Sequence, residues 1–379
     1  MLHAMIEEPL FDLSQDIVYL NHAAVAPWPR AASEAVTAFA AENAHRGAAS
    51  YPAWLEMEAS LRERLRTLIN APSSDDIALL KSTSEGLSFI AQGLPWEAGD
   101  NIVIPAAEFP SNRMVWQTLE ALGVQLREID IITAEDPEAA LIAAMDERTR
   151  LLSCSSVQYA YGLRLDLARI GEACRDSDTL FCVDAIQSLG ALRFDLEEIG
   201  ADFVVADGHK WMTGPEGLAL FYCKPDLRER LKLTEFGWHM MDNPHDFKQP
   251  DWRPADSAKR FECGSPNMLG AVALNAALSV LLEVGMQRIE QAVLDNSGYL
   301  IEKLSAVEGV KVLTPLERQR RAGIVLFSVH GMDSMALYER LMDQGVVCAN
   351  RGTGVRWSPH FHTTHDDMDR AVQILTACL

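Results

Sequence analysis

Two residues in this sequence are of the types that carbonyl and carbanion chemistry needs, and their spacing lets them meet. Asp184 closes the apolar run Leu180-Phe-Cys-Val-Asp184, and Lys210 follows the run Phe203-Val-Val-Ala-Asp207. Continuous apolar runs bounded by turn residues suit strands covered on both faces. The two residues lie about one strand–crossover–strand unit apart. Both can therefore reach the carboxyl edge of one parallel sheet, where open α/β sheets bind ligands. A lysine amine captures an aldehyde as a Schiff base, and a carboxylate keeps a ring nitrogen protonated. Pyridoxal phosphate (PLP) calls for both. Gln187, one turn beyond Asp184, is placed to donate to the ring's phenolic oxygen. Taken singly, Lys210 reads as a surface lysine and Asp184 as a strand-end cap; the joint pattern favours the cofactor.

The elements that must position these residues follow from the same patterning. Apolar runs predict strands at Ile17–Leu20, Ile77–Leu80, Asn101–Pro105, Val124–Ile129, Leu151–Val157 and Leu218–Cys223. Helical spacing of apolar residues marks Arg30 to Ala71, Leu87 to Gly93, Pro137 to Met145 and Leu167 to Cys174. Thr83 and Ser84, between a strand and a helix, either cap that helix or offer an anion site at its N-terminus. From Gly237 to Ala258 the chain is rich in Pro, Asp, Asn and Trp without period, longer than an ordinary connection. Helices at Met268 to Leu282 and Val284 to Val307 then lead into a small α+β region.

The pattern Asp-Ala-x-Gln (Asp184 to Gln187), followed by Gly-His-Lys-Trp-x-x-Gly-Pro-Glu-Gly (Gly208 to Gly217), resembles the class V aminotransferase and cysteine desulfurase group of fold-type I PLP enzymes. The resemblance implies an α/β fold. It has a large domain around a mostly parallel seven-stranded sheet, over residues 16–258, with segment 1–30 lining the site. A small C-terminal α+β domain with its connecting helix takes residues 259–379. It implies that Lys210 forms the Schiff base, Asp184 pairs the ring nitrogen, Gln187 meets the phenolate, and His209 helps hold the cofactor, with Thr83 and Ser84 on the phosphate. Phe109 stands where desulfurase-like relatives often carry a ring-stacking His, as in kynureninase-like and isopenicillin-epimerase-like members. Gln158 stands where desulfurases carry Asn. Ser265, in Phe-Glu-Cys-Gly-Ser-Pro-Asn267, matches a residue that reaches the phosphate of the neighbouring subunit. That implies a homodimer; the alternative for Ser265 is a helix cap. Arg356, in Arg-Trp-Ser-Pro, matches the arginine that binds a substrate carboxylate, against the alternative of a surface salt bridge. His22 either faces the substrate or caps the helix after it.

Two departures bear on function. Many relatives carry Ser two residues before the His, where this chain has Asp207, and a carboxylate beside a phosphate is unfavourable unless it points away or is bridged. Desulfurases also carry a nucleophilic Cys on a loop before the carboxylate-binding Arg. Here Gly345-Val-Val-Cys348-Ala-Asn-Arg351-Gly-Thr-Gly-Val-Arg356 joins the two segments directly, and Cys348 reads as a small hydrophobe in a strand.

These residues together lead to a PLP-dependent enzyme acting on an amino acid or amine, with an aminotransferase-like activity in front. A carbon–sulfur lyase of desulfurase type and an epimerase are the alternatives, and a non-catalytic PLP-fold binding protein stands outside the enzymes. A net charge of −21 over 379 residues argues against nucleic acid and anionic membranes as partners. No apolar stretch approaches a membrane span, and the N-terminus shows no basic start followed by an apolar segment. Seven cysteines without a Cys-x-x-Cys spacing read as reduced thiols in a cytoplasmic protein. His360, His362 and His365 lack the spacing of known metal sites, so no metal is expected.

Overall fold

The computed structural model describes residues 9–379 apart from 245, 247, 249 and 250. After a short strand β1 (Val18–Tyr19), seven strands build one sheet: β2 (Ile77–Leu80), β3 (Asn101–Pro105), β4 (Gln125–Ile129), β5 (Thr149–Ser155), β6 (Leu180–Asp184), β7 (Phe203–Asp207) and β8 (Ala219–Cys223). Their spatial order is β2-β8-β7-β6-β5-β3-β4, and β8 alone runs against its neighbours. The apolar runs are continuous because both faces are covered. Along β6, Phe181 and Val183 enter one core while Cys182 enters the other; along β7, Val204 and Ala206 enter the first, and Phe203 and Val205 the second. A period of two thus feeds two cores, and each buried Leu, Ile or Phe contributes about 1.5–3 kcal/mol.

One core is closed by the helix Tyr51–Ile69, through Leu61, Leu65 and Leu68, and by Leu274, Leu278 and Leu281 of the helix Met268–Val284. The other is closed by the helix Thr83–Gly93, through Leu87, Phe89 and Ile90. A cut at residue 258 would assign Met268–Val284 to the C-terminal part, whereas its apolar side chains pack in the large-sheet core. The helical stretch read as continuous from Arg30 to Ala71 is two helices, Arg30–Arg46 and Tyr51–Ile69.

A smaller antiparallel sheet contains β9 (Val310–Val312), β10 (Val325–Val329), β12 (Ala349–Arg351) and β13 (Gly354–Trp357), in the order β12-β13-β10-β9. The strand β11 (Val346–Val347) pairs in parallel with β1. Val18 and Leu20 therefore join the apolar cluster of Phe327, Trp357 and Met368. From there the N-terminal segment runs back to the large sheet: the Ala26 N–H donates to the His209 carbonyl at 2.8 Å. No single described helix is long and apolar enough to cross a membrane.

Candidate active site

The carboxyl ends of β6 and β7 are neighbours, since Asp184 pairs in register with Val205. Asp184 ends β6 with its carboxylate capped by the Ile186 N–H at 3.0 Å. Lys210 follows three residues after β7, in a turn closed by Thr213 N–H to the Lys210 carbonyl and Gly214 N–H to the Gly208 carbonyl. The two loops touch at Gly190, whose φ is +94° and where a Cβ would lie 2.2 Å from the Trp211 carbonyl oxygen, so only glycine fits there. Trp211 Nε1–H donates to Gln187 Oε1 at 2.8 Å, and Gln187 Nε2 donates to the Ala23 carbonyl at 3.1 Å. Gln187 is thereby clamped, with one amide hydrogen left to give.

Burial sets the electrostatics. It pushes the Lys210 ammonium down to about 8; the negative charge of Asp184 opposes this, and the positive charge of Arg356 reinforces it. Asp184 is raised to about 6 by burial, against the Ile186 N–H and the charge of Lys210. The Lys210 ammonium lies 5.5 Å from the centroid of the half-exposed Phe109 ring, which meets the Tyr159 ring edge-on at 5.3 Å. The Tyr159 carbonyl accepts from Arg356 Nη1 at 2.6 Å. Arg356 is 1% exposed, yet its Nε and Nη2 have no partner among the described residues, and burial lowers its pKa to about 9. A guanidinium buried with half its fork empty is a receptor for a planar anion.

The anion end of the site is arranged otherwise than its sequence suggested. The helix Thr83–Gly93 starts beside β7, so close that a Cβ on Gly86 would meet Val205 Cγ1 at 2.7 Å. Asp207 does not point away from that N-terminus. Its Oδ2 accepts the Thr83 main-chain N–H at 3.1 Å, and its own N–H donates to Thr83 Oγ1 at 3.0 Å. Thr83 is thus already held by a carboxylate. Ser84 is exposed, and its Oγ donates to Ser111 Oγ at 2.9 Å. His209 Nδ1 is buried without a partner, and burial lowers its pKa to about 4.

Two placements correct the sequence reading. His22 is fully buried with both ring nitrogens engaged, Nδ1 on the Ser358 carbonyl at 2.8 Å and Nε2 at 3.3 Å from His362 Nε2, and it caps no helix. Gln158 is turned into its own loop, accepting from Ala160 N–H and Tyr161 N–H and donating to the Ala107 carbonyl at 2.7 Å. The longer side chain lets the amide reach back to the main chain. Ser265 is exposed on the Gly264–Asn267 segment, in a recess with Lys81, Glu85 and Gly217.

Three residues were missed. Glu108 is buried behind Phe109, with its oxygens on Ser155 N–H and Oγ, both at 2.6 Å, and on Phe109 N–H at 3.2 Å. Burial raises it to about 7. A lone acid in an apolar strand-end run was its only signal. Trp211 and Arg351 carried none beyond their positions in the motifs.

The aminotransferase class-V family model matches residues 18–370. The chain belongs to the class-V aminotransferase family. A probable cysteine desulfurase of Methanothermobacter thermautotrophicus is 30% identical, over 94% of this chain and 93% of that protein. A cysteine desulfurase of Cronobacter sakazakii is 30% identical over 91% and 84%. A cystine C–S lyase, C-DES, solved with its reaction product cysteine persulfide, is 25% identical over 96% and 98%, with a TM-score of 0.88.

As a class-V aminotransferase family member, the protein is a PLP-dependent enzyme that acts on an amino acid, as transferase or lyase. Its residues fit the cofactor on their own terms. A buried lysine of lowered pKa, a buried carboxylate one strand away, an orphaned imidazole nitrogen at His209 and the hydroxyls of Thr83 and Ser84 at a helix N-terminus are the groups that an aldehyde, a pyridinium and a phosphate require. Asp207 is the one residue set against the phosphate.

Proposed function

We propose that this enzyme is an amino-acid lyase of carbon–sulfur type, which releases the substrate's β-substituent by elimination and not by transfer of sulfur to an enzyme thiol. The observation that carries this reading is the position of the cysteines. Cys348 is buried in the apolar cluster of the small sheet, and burial pushes its thiol up to about 12. Cys154, Cys174, Cys182 and Cys223 lie in the two large-sheet cores, Cys263 lies beside Glu235, and Cys378 ends the last helix. A sulfur acceptor must be an accessible thiolate next to the substrate.

In this reading Asp184 holds the ring nitrogen of PLP, Gln187 gives its remaining amide hydrogen to the phenolic oxygen, Phe109 covers the ring, and Ser84, Thr83 and His209 face the phosphate. When bound, PLP supplies an aldehyde that captures the amine and a ring that accepts charge from Cα. Arg356 takes the substrate carboxylate with its Nε and Nη2. Lys210 Nζ then removes the α-proton. With its pKa near 8, about a tenth of the amine is neutral at pH 7, against well under a thousandth for an ordinary lysine. Phe109 cannot carry a proton, so Lys210 remains the base. The similarity to cysteine desulfurases and to a cystine C–S lyase supports sulfur-bearing substrates. We also propose a homodimer in which Ser265, exposed on its own chain, completes the partner's phosphate site.

Incubation of the holoenzyme with cysteine and cystine tests the reaction class. Keto acid released with ammonia is the expected result. Keto acid without ammonia would mark transamination, α-proton exchange alone would mark epimerisation, and alanine with a sulfur adduct on Cys348 would restore a desulfurase.

A further inference from the structure

The strands β12 and β13 form the tight hairpin that stands in place of the desulfurase cysteine loop. Their register sets Ala349 opposite Arg356 and Arg351 opposite Gly354. Opposed residues in an antiparallel pair share a face, and side chains alternate along each strand. Arg351 and Arg356 therefore project from the same face. It is the face turned away from the apolar cluster, because Val355 and Trp357 point into that cluster. Arg356 reaches the Tyr159 carbonyl, and the Tyr159 ring meets Phe109, beside Lys210.

Arg351 is half-buried, and its Nη1 donates to the Asn350 carbonyl at 2.8 Å. Among the described residues neither guanidinium pairs with a carboxylate, in a chain with 54 acidic against 33 basic residues. Most other buried arginines here are paired: Arg62 with Glu58 and Glu262, and Arg228 with Asp76. The charge of Arg351 is felt at both Lys210 and Arg356. Two like charges held on one face without a counter-ion repel each other. The arrangement is relieved when two anionic groups enter.

We infer that Arg351 is a second anion subsite, and that the substrate is an α-amino acid whose sulfur-linked β-substituent carries an acidic group. Arg356 takes the α-carboxylate, and Arg351 takes that second acid, a carboxylate or a phosphate; acidic amino acids without sulfur fill both subsites as ligands without being cleaved. This rests on the amino-acid reading of the site above. It adds what that reading leaves open, the charge of the side chain. One recognition chemistry serves both kinds of acid, since a guanidinium fork accepts either.

The test is titration of the PLP-loaded enzyme, followed through the cofactor absorbance, with three matched pairs: aspartate and asparagine, glutamate and glutamine, O-phosphoserine and serine. In at least one pair the acid should bind about tenfold or more tighter than its neutral partner, the size of one charge-assisted hydrogen-bonded contact. The pair that responds tells carboxylate from phosphate. Arg351→Gln should collapse that ratio to near one, and Arg351→Lys should keep part of it. Arg356→Gln should weaken both members alike and leave the ratio standing. Thermal melting and PLP content verify that each variant is folded and loaded. Neutral members binding as tightly as acids, or a ratio untouched by Arg351→Gln, overturns this inference alone. No spectral response to any amino acid overturns the amino-acid reading and this inference with it.

Discussion

Asp207 and Thr83 hold each other across the mouth of a helix: the carboxylate accepts the Thr83 N–H at 3.1 Å, and the Asp207 N–H donates to the Thr83 hydroxyl at 3.0 Å. The helix N-terminus that attracts a phosphate is therefore already shared with a carboxylate of the same sign.

The Asp207→Ser variant should bind PLP about tenfold or more tighter than wild type, since two like charges a few ångströms apart in a partly buried site repel by several kcal/mol. Pyridoxal, which lacks the phosphate, should show no such gain. The wild-type deficit should also shrink as pH falls, because burial raises the Asp207 carboxyl and a proton removes the repulsion. Equilibrium binding of both compounds across pH checks this. An equal gain for pyridoxal would refute it.

Lys210 should react as an amine of pKa about 8 in the cofactor-free enzyme. Reductive methylation followed residue by residue should show Lys210 turning reactive around that pH, well before the surface lysines. A midpoint near that of an ordinary lysine would show that burial does not govern the base.

Acid should destabilise the protein through its buried histidines. His360 accepts the Phe361 N–H at Nδ1, so its Nε2 carries the hydrogen toward the Trp211 carbonyl at 3.0 Å; the ring is held neutral. Burial lowers His360 to about 4 and His22 well below its ordinary value. The unfolded chain takes up these protons first, near pH 6.5. Their stabilising contribution is therefore full above that pH and is lost as pH falls through the folded values. Urea unfolding from pH 7.5 to 4.5 should show a smaller loss for His360→Gln than for wild type, whatever its stability at pH 7.5. Parallel curves would sink the assignment.

Cys348→Ser should cost stability and not turnover. The side chain lies 2% exposed among Val18, Leu20 and Trp357, where exchanging sulfur for a more polar hydroxyl costs about 1–3 kcal/mol of burial. Chemical denaturation and steady-state rates separate the two effects. Loss of turnover with stability intact would contradict the elimination mechanism.

If the phosphate site is completed in trans, mixing inactive Lys210→Ala with a weakened Ser265→Ala variant should produce hybrid dimers containing one intact site. PLP-dependent activity should then rise above that of either parent after subunit exchange. Activity that stays at the sum of the parents, or a monomer in sedimentation, would show that each chain serves itself.

The amino-acid sequence by itself determined the strands of the large sheet and the meeting of Asp184 with Lys210. Strand identity is written in local runs such as Phe203-Val-Val-Ala, and parallel topology brings the ends of neighbouring strands to one edge. Tertiary structure alone decided what surrounds them. Asp207 lies 124 residues from Thr83, His22 lies 340 from His362, and Glu108 lies 47 from Ser155. No periodicity reports whether such a side chain turns toward a partner, a core or a ligand. The same holds for Arg351 and Arg356, five positions apart in a strand-rich segment: only the hairpin register puts them on one face. That choice belongs to burial and to the hydrogen-bond partners that folding brings within reach, because a polar group taken out of water must find a partner wherever the chain has placed one.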